Sequence, residues 1–233
     1  MYDSNHNASP FNAIPPVVVA VALAIIGVEL LMQAAEAGFI GGPQGIAWRL
    51  EAITVYGVFD SVFNWMIETW RVPPEHLLRF VSYSFLHAGF THAAFAVVML
   101  LAIGKMVAEA FSSLAFLAIY FLSTIVGALA YVLLLNSSQP LIGAFPAVYG
   151  MIGALSYMLW IRARFEGSNQ LRAFSLILAL MGIQLFFKLV FGGADDWVAD
   201  IAGFLTGFGL SFFLAPQGGA RIVNIVNRLR RRR

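Results

Sequence analysis

Six apolar runs follow one another along the chain, and they limit its fold more than any other feature. They cover about residues 14–32, 92–111, 114–135, 141–161, 171–191 and 197–214. About 20 apolar residues in an α-helix cross the hydrocarbon layer of a bilayer, and a helix is the one local structure that satisfies its own backbone there. The first run carries no charge before Glu29, and Pro15 and Pro16 stand at its start, where proline is tolerated. Short turns separate the later runs, such as Asn136-Ser137-Ser138-Gln139-Pro140 and Gly192-Gly193-Ala194-Asp195-Asp196. The connection over 33–78 is different. It mixes Trp48, Tyr56, Phe59, Phe63, Trp65 and Trp70 with Arg49, Glu51, Asp60, Glu68 and Arg71, a pattern suited to a helix lying in the membrane interface. Pro73 and Pro74 end it.

With 60% of residues hydrophobic and 11% charged, lipid is the natural solvent of this chain. The absence of cysteine excludes disulfides and thiolate metal sites. Basic residues set the expected orientation. Arg162, Arg164 and Arg172 follow the fourth run, and Arg221, Arg228, Arg230, Arg231, Arg232 and Arg233 follow the sixth. Both regions are expected to be cytoplasmic, which places the 33–78 connection outside and, with six spans, the N-terminus inside. The first twelve residues carry no Lys or Arg, so the first run is expected to stay as an anchor rather than be cleaved as a signal peptide. The expected organisation is a cytoplasmic segment over 1–13, a membrane domain over 14–216 and a basic cytoplasmic tail over 217–233. The tail reads as a topology signal, or as a stretch drawn to anionic lipid. Membrane lipid is the expected partner. A short basic tail is no sign of nucleic-acid binding, and no cofactor is indicated. The composition suits a bacterial plasma membrane and sets no oligomeric state.

Two runs carry small residues at helical spacing. Gly143, Ala147 and Met151 lie four apart, with Gly150 and Ala154 beside them; Ala199, Gly203 and Gly207 do the same in the sixth run. Such faces let helices approach closely in lipid, where packing drives association. His87 and His92 occur in Phe85-Leu86-His87-Ala88-Gly89-Phe90-Thr91-His92, leading into the second run. Two histidines five apart do not share a helix face and no third ligand is indicated, so no metal site is expected. Lys105 and Glu109 form an i,i+4 pair. Lys188 stands where a lysine can snorkel to headgroups.

In the order of their spans, these segments resemble the rhomboid intramembrane serine proteases over about 78–216. The resemblance implies an all-α, six-transmembrane helix bundle with a long outer interfacial loop between helices 1 and 2. His87 and His92 match the helix-two histidines of that family; Gly143 and Tyr149 match positions around its Gly-x-Ser-Gly; Gly203 and Gly207 match its helix-six face. Arg79 matches the arginine of the outer Trp-Arg motif, whose tryptophan is replaced by Leu78. The departures fall on the chemistry. Phe145 stands at the serine, Pro146 at the glycine after it, Asp200 at the catalytic histidine and Ala96 at the asparagine four residues after His92. A serine hydrolase needs a nucleophile beside a base and donors for the oxyanion. Phe145 has no nucleophilic atom, Pro146 has no N–H, and no histidine follows His92.

The resemblance therefore implies a rhomboid-fold protein without proteolytic activity, binding transmembrane segments of client proteins. An active endopeptidase with a displaced site is the alternative, and a small transporter a third, without the internal repeat common in transporters. Asp200 is expected either to pair with His92 across the former active site or to sit hydrated at the helix start with Asp195 and Asp196. Phe145 and Tyr149 are expected to fill the former catalytic cavity, or to hold a client helix.

Overall fold

The computed structural model describes residues 13–191 and 195–216. The expected basic tail over 217–233, and all but the last residue of the expected N-terminal segment, lie outside the described residues.

Helix α1 (Pro16–Glu36) opens on Pro16, whose missing N–H costs nothing at a helix start. It runs one turn past the apolar stretch and ends before Gly38, which adopts φ +77°. The outer connection is not one interfacial helix but several short pieces. A 3-10 turn (Gly42–Ala47) leads into α2 (Trp48–Tyr56), α3 (Asp60–Thr69) and α4 (Pro74–Ser82). Each break has a local cause. Gly57 leaves the helical region after α2, and a Cβ there would sit 2.6 Å from the Ile53 carbonyl oxygen. Trp70 takes a left-handed φ of +54° after α3, and Pro73 and Pro74 follow. Arg79, on α4, matches the family's outer arginine and donates to the carbonyls of Thr54 and Gly57 at 2.8 and 2.9 Å, tying α4 to the end of α2.

The remaining runs become α5 (Phe90–Ala110), α6 (Ser113–Leu134), α7 (Phe145–Phe165), α8 (Ser175–Phe191) and α9 (Trp197–Leu214). Ser112 caps α6 by accepting from the Ala115 N–H at 3.1 Å. Among the described residues, five helical stretches are long and apolar enough to cross a membrane: α1, α5, α6, α9 and Gln170–Val190, which contains most of α8. Helix α7 is a sixth long helix, and it forms the axis of the bundle. Residues from Pro146 to Gly153 are all buried, enclosed by α5, α6 and α9.

The start of the fourth run needs correction. Leu141, expected inside that helix, instead forms an isolated antiparallel bridge with Val58, their amides and carbonyls exchanging bonds of 2.9 and 3.2 Å. Gly143 then takes φ +103°, which no helix contains, and donates its N–H to the Tyr83 carbonyl at 3.0 Å. Only at Phe145 does the helix begin, with Pro146 at its second position; it ends at Phe165, beyond the expected 161.

Helices α6, α7 and α9 meet almost backbone to backbone. A Cβ at Gly203 would collide with the backbone of Pro146, one at Gly207 with the carbonyl of Gly150, and one at Gly153 with Phe204. Gly127, on α6, faces the Pro146 ring, whose Cβ lies 2.7 Å from the place a methyl would occupy. Ala199 is fully buried, its carbonyl oxygen 3.0 Å from that same point. Approach this close is what small residues permit between helices in lipid.

Candidate functional site

The starts of α5, α7 and α9 and the end of α8 share one end of the bundle. His92 lies in the first turn of α5. Its Nδ1 accepts the Ala88 N–H at 3.3 Å, which leaves the proton of the neutral ring on Nε2. Its ring stacks on Phe145 with centroids 5.0 Å apart and planes 17° from parallel. The bare face of Gly143 makes this possible, since a Cβ there would lie 2.9 Å from His92 Cε1.

His87 stands edge-on to His92 at 5.2 Å and accepts the Ala144 N–H on Nε2 at 3.3 Å. Both histidines thus hold the turn that launches α7. Burial, with the neighbouring His92 adding to it, pushes the His87 pKa down to about 4. In the unfolded chain an imidazole titrates near 6.5. Between those values the unfolded state binds more protons, so stability is full above pH 6.5 and falls as pH drops toward 4. The loss is expected to reach ~3 kcal/mol. His87→Gln keeps an acceptor for Ala144 without a titrating ring. It should flatten the pH dependence of thermal unfolding between pH 4 and 6.5; an unchanged slope would assign that dependence to another group.

The His87 carbonyl is anchored in turn by Arg49, which donates to it at 2.7 Å and also bonds Glu29 and Glu36 at 2.9 and 2.6 Å. The Glu29 bond, the Glu36 bond and both charges hold the Arg49 pKa above its ordinary value against the opposing effect of burial. Gln33 adds a bond to Glu29 at 2.9 Å. The charge that interrupts the first apolar run therefore has its partner in the outer connection.

Asp200, in the first turn of α9, is 1% exposed. Its Oδ2 accepts from Gln184 Nε2 at 3.0 Å, and Gln184 Oε1 accepts from the Tyr149 hydroxyl at 3.2 Å. Asp200 is buried rather than exposed at the helix start, and among the described residues no direct hydrogen bond joins it to His92. The two side chains face one cavity of about 260 Å³, lined also by Phe145, Tyr149, Gln184 and Asp196. Gln184 reaches across from α8 and takes the place the histidine was expected to fill. Phe145 and Tyr149 narrow this cavity without closing it. Ala96 is fully buried in the main hydrophobic core. Lys188 pairs with Asp195 and lies 5.6 Å from the Trp197 ring centre. Lys105 and Glu109 pair at 4.0 Å.

Gln184 escaped the sequence reading, although a signal was there. With Lys188 it is the only strongly polar side chain between 176 and 191, and polar groups inside a span face the bundle interior. Gly127 and Gly153 were missed as well, since neither belongs to the four-residue stripes. Among the described residues no serine or threonine hydroxyl bonds a histidine, and no three His, Asp or Glu side chains are placed to hold a metal ion.

A helical bundle with several membrane-length helices defines a polytopic membrane protein, and the cavity where α5, α7 and α9 begin is its candidate site. The pattern of the Rhomboid domain matches residues 74–217, and the chain belongs to the rhomboid family. It is 32% identical over 140 residues to "Rhomboid-like protease 3" of Toxoplasma gondii, a match covering 58% of this chain and 50% of that protein. The chain thus spans about half the length of the curated relative it matches.

Proposed function

We propose that this chain is a rhomboid-fold membrane protein that binds transmembrane segments of client proteins without cleaving them. One observation carries the proposal: the residue that opens α7, at the position of the family's nucleophile, is Phe145, stacked on His92 and followed by Pro146. A phenyl ring cannot attack a carbonyl, and a proline nitrogen has no hydrogen to give an oxyanion. The cavity that remains, about 260 Å³, is lined by Phe145, Leu180 and Ile183 together with His92, Gln184, Asp196 and Asp200. The proposal includes six spans with α7 as the fourth and both termini cytoplasmic, supported by Arg162, Arg164 and Arg172 at one end of the bundle. The bacterial plasma-membrane setting is part of it on the cysteine-free composition.

A second reading, an active endopeptidase with a displaced site, draws on the relative's name. It needs a serine with a base, and the buried Ser123 hydroxyl has no partner among the described residues. Purified protein in proteoliposomes is expected to take up no fluorophosphonate and to cleave no transmembrane reporter. A phosphonyl adduct on any hydroxyl, with cleavage blocked by it, establishes the second reading. A photocrosslinker at position 145 should capture transmembrane segments of other proteins in cells; capture of lipid alone would defeat the binding role.

A further inference from the structure

The cavity beneath Phe145 holds more hydrogen-bond acceptors than donors. The Tyr149 hydroxyl donates to Gln184, and Gln184 donates to Asp200, so the donors run in one direction and end on a carboxyl. Asp200 Oδ1, on a side chain 1% exposed, has no partner among the described residues. Asp196 adds a second carboxyl to the lining. His92 has spent Nδ1 on Ala88 and its ring face on Phe145. No described lysine or arginine lines the cavity, and Lys188 is engaged with Asp195. A buried carboxyl oxygen without a donor is costly, and the Nε2–H of His92 is one donor set against two carboxyls, so the cavity has room for a further donor from a partner.

We infer that this cavity receives a basic side chain, lysine or arginine, from the transmembrane segment of a partner protein. The inference rests on the client-binding reading and names the chemistry the client must carry. About 260 Å³ suits one long side chain and is too small for a helix. Leu180 and Ile183 offer apolar lining for its methylene stem, and Asp196 and Asp200 in the same lining offer carboxyls for its charge. Depth matches too. Asp200 is in the first turn of α9, so the client's basic residue belongs about one turn inside the same membrane face. A charge within a span costs ~2.5–3.5 kcal/mol at the bilayer centre on insertion scales and less near a face, and a carboxyl at equal depth that ionises as the basic group arrives offsets part of that cost.

The test uses the full chain in phosphatidylcholine nanodiscs and fluorescent single-span leucine-rich peptides, with either lysine or leucine one turn inside that face. Energy transfer should report binding of the lysine peptide about tenfold tighter than the leucine peptide. Asp200→Asn should cut that preference to about twofold or less, and Asp196→Asn, on a part-exposed residue less prone to unfold the bundle, should reduce it by several-fold. Equal binding of the two peptides overturns the inference and leaves client binding standing. Failure of both peptides to bind removes the client-binding reading and the inference with it. A preference that survives both variants, or survives Asp196→Asn where Asp200→Asn does not fold, also overturns it. So does a preference abolished by phosphatidylethanolamine, which would make a headgroup ammonium the occupant.

Discussion

Gly207→Ala is expected to unseat α9 from the bundle. The added methyl would be driven into the Gly150 carbonyl, which is main chain in the middle of α7 and has no rotamer to escape by. Relief requires the two helices to part, and parting them also loosens Gly203 from Pro146 and Gly153 from Phe204. Overpacking of a tight core commonly costs ~1–3 kcal/mol, and a clash against backbone belongs at or above the top of that range. Thermal unfolding in detergent should show a large drop in midpoint. Gly209→Ala, on the same helix with no atom within 4 Å of its new methyl, is the control and should lose nothing. Equal stability of the two variants would mean that α7 and α9 are not in the close contact described.

Arg49→Leu is expected to be comparably damaging, through charge rather than volume. Arg49 is 11% exposed along its side chain and Glu29 5%, so the pair is almost out of solvent. Removing the guanidinium leaves Glu29 uncompensated within α1, and breaking one side of such a pair costs about 3–5 kcal/mol. It also frees the His87 carbonyl, and with it the loop that positions both histidines. The double variant Arg49→Leu with Glu29→Leu should recover most of the loss, because two apolar side chains replace a buried pair at little cost. Glu36→Gln should change little, since that carboxylate is 36% exposed and already hydrated. If the double variant is as unstable as the single one, the damage lies in the loop contact and not in the orphaned carboxylate.

The sequence reading and the structure part company in an instructive way. Hydropathy located the long helices because lipid demands long apolar segments, and the histidine, glycine and aspartate positions were found because a family pattern indexes them. The helix start at Phe145 was misplaced by four residues. Leu141 and Ile142 are as apolar as the helix they precede, and only the positive φ at Gly143 and the bridge to Val58 exclude them. The outer connection reads as interfacial and its breaks are local, but the seating of α4 on the end of α2 depends on Arg79 with Thr54 and Gly57, which join residues more than twenty positions apart. Asp200 stands out in the sequence as a charge within a span, but the family pattern offers it only His92 as a partner. Gln184 belongs to no motif, and only the packing of α8 against α9 brings it near.

The seating of Pro146 has a consequence for anyone wishing to build a protease from this chain. Its ring occupies the hollow opposite Gly127, and its backbone is the surface on which Gly203 rests. Writing Gly-x-Ser-Gly into residues 143–146 would remove that ring from between α6 and α9 and leave a void at the point where three helices touch. The engineer must therefore refill a structural keystone, by enlarging Gly127 for instance, before any installed hydroxyl and imidazole can be held in register. Chemistry and architecture share one residue here, and neither can be edited alone.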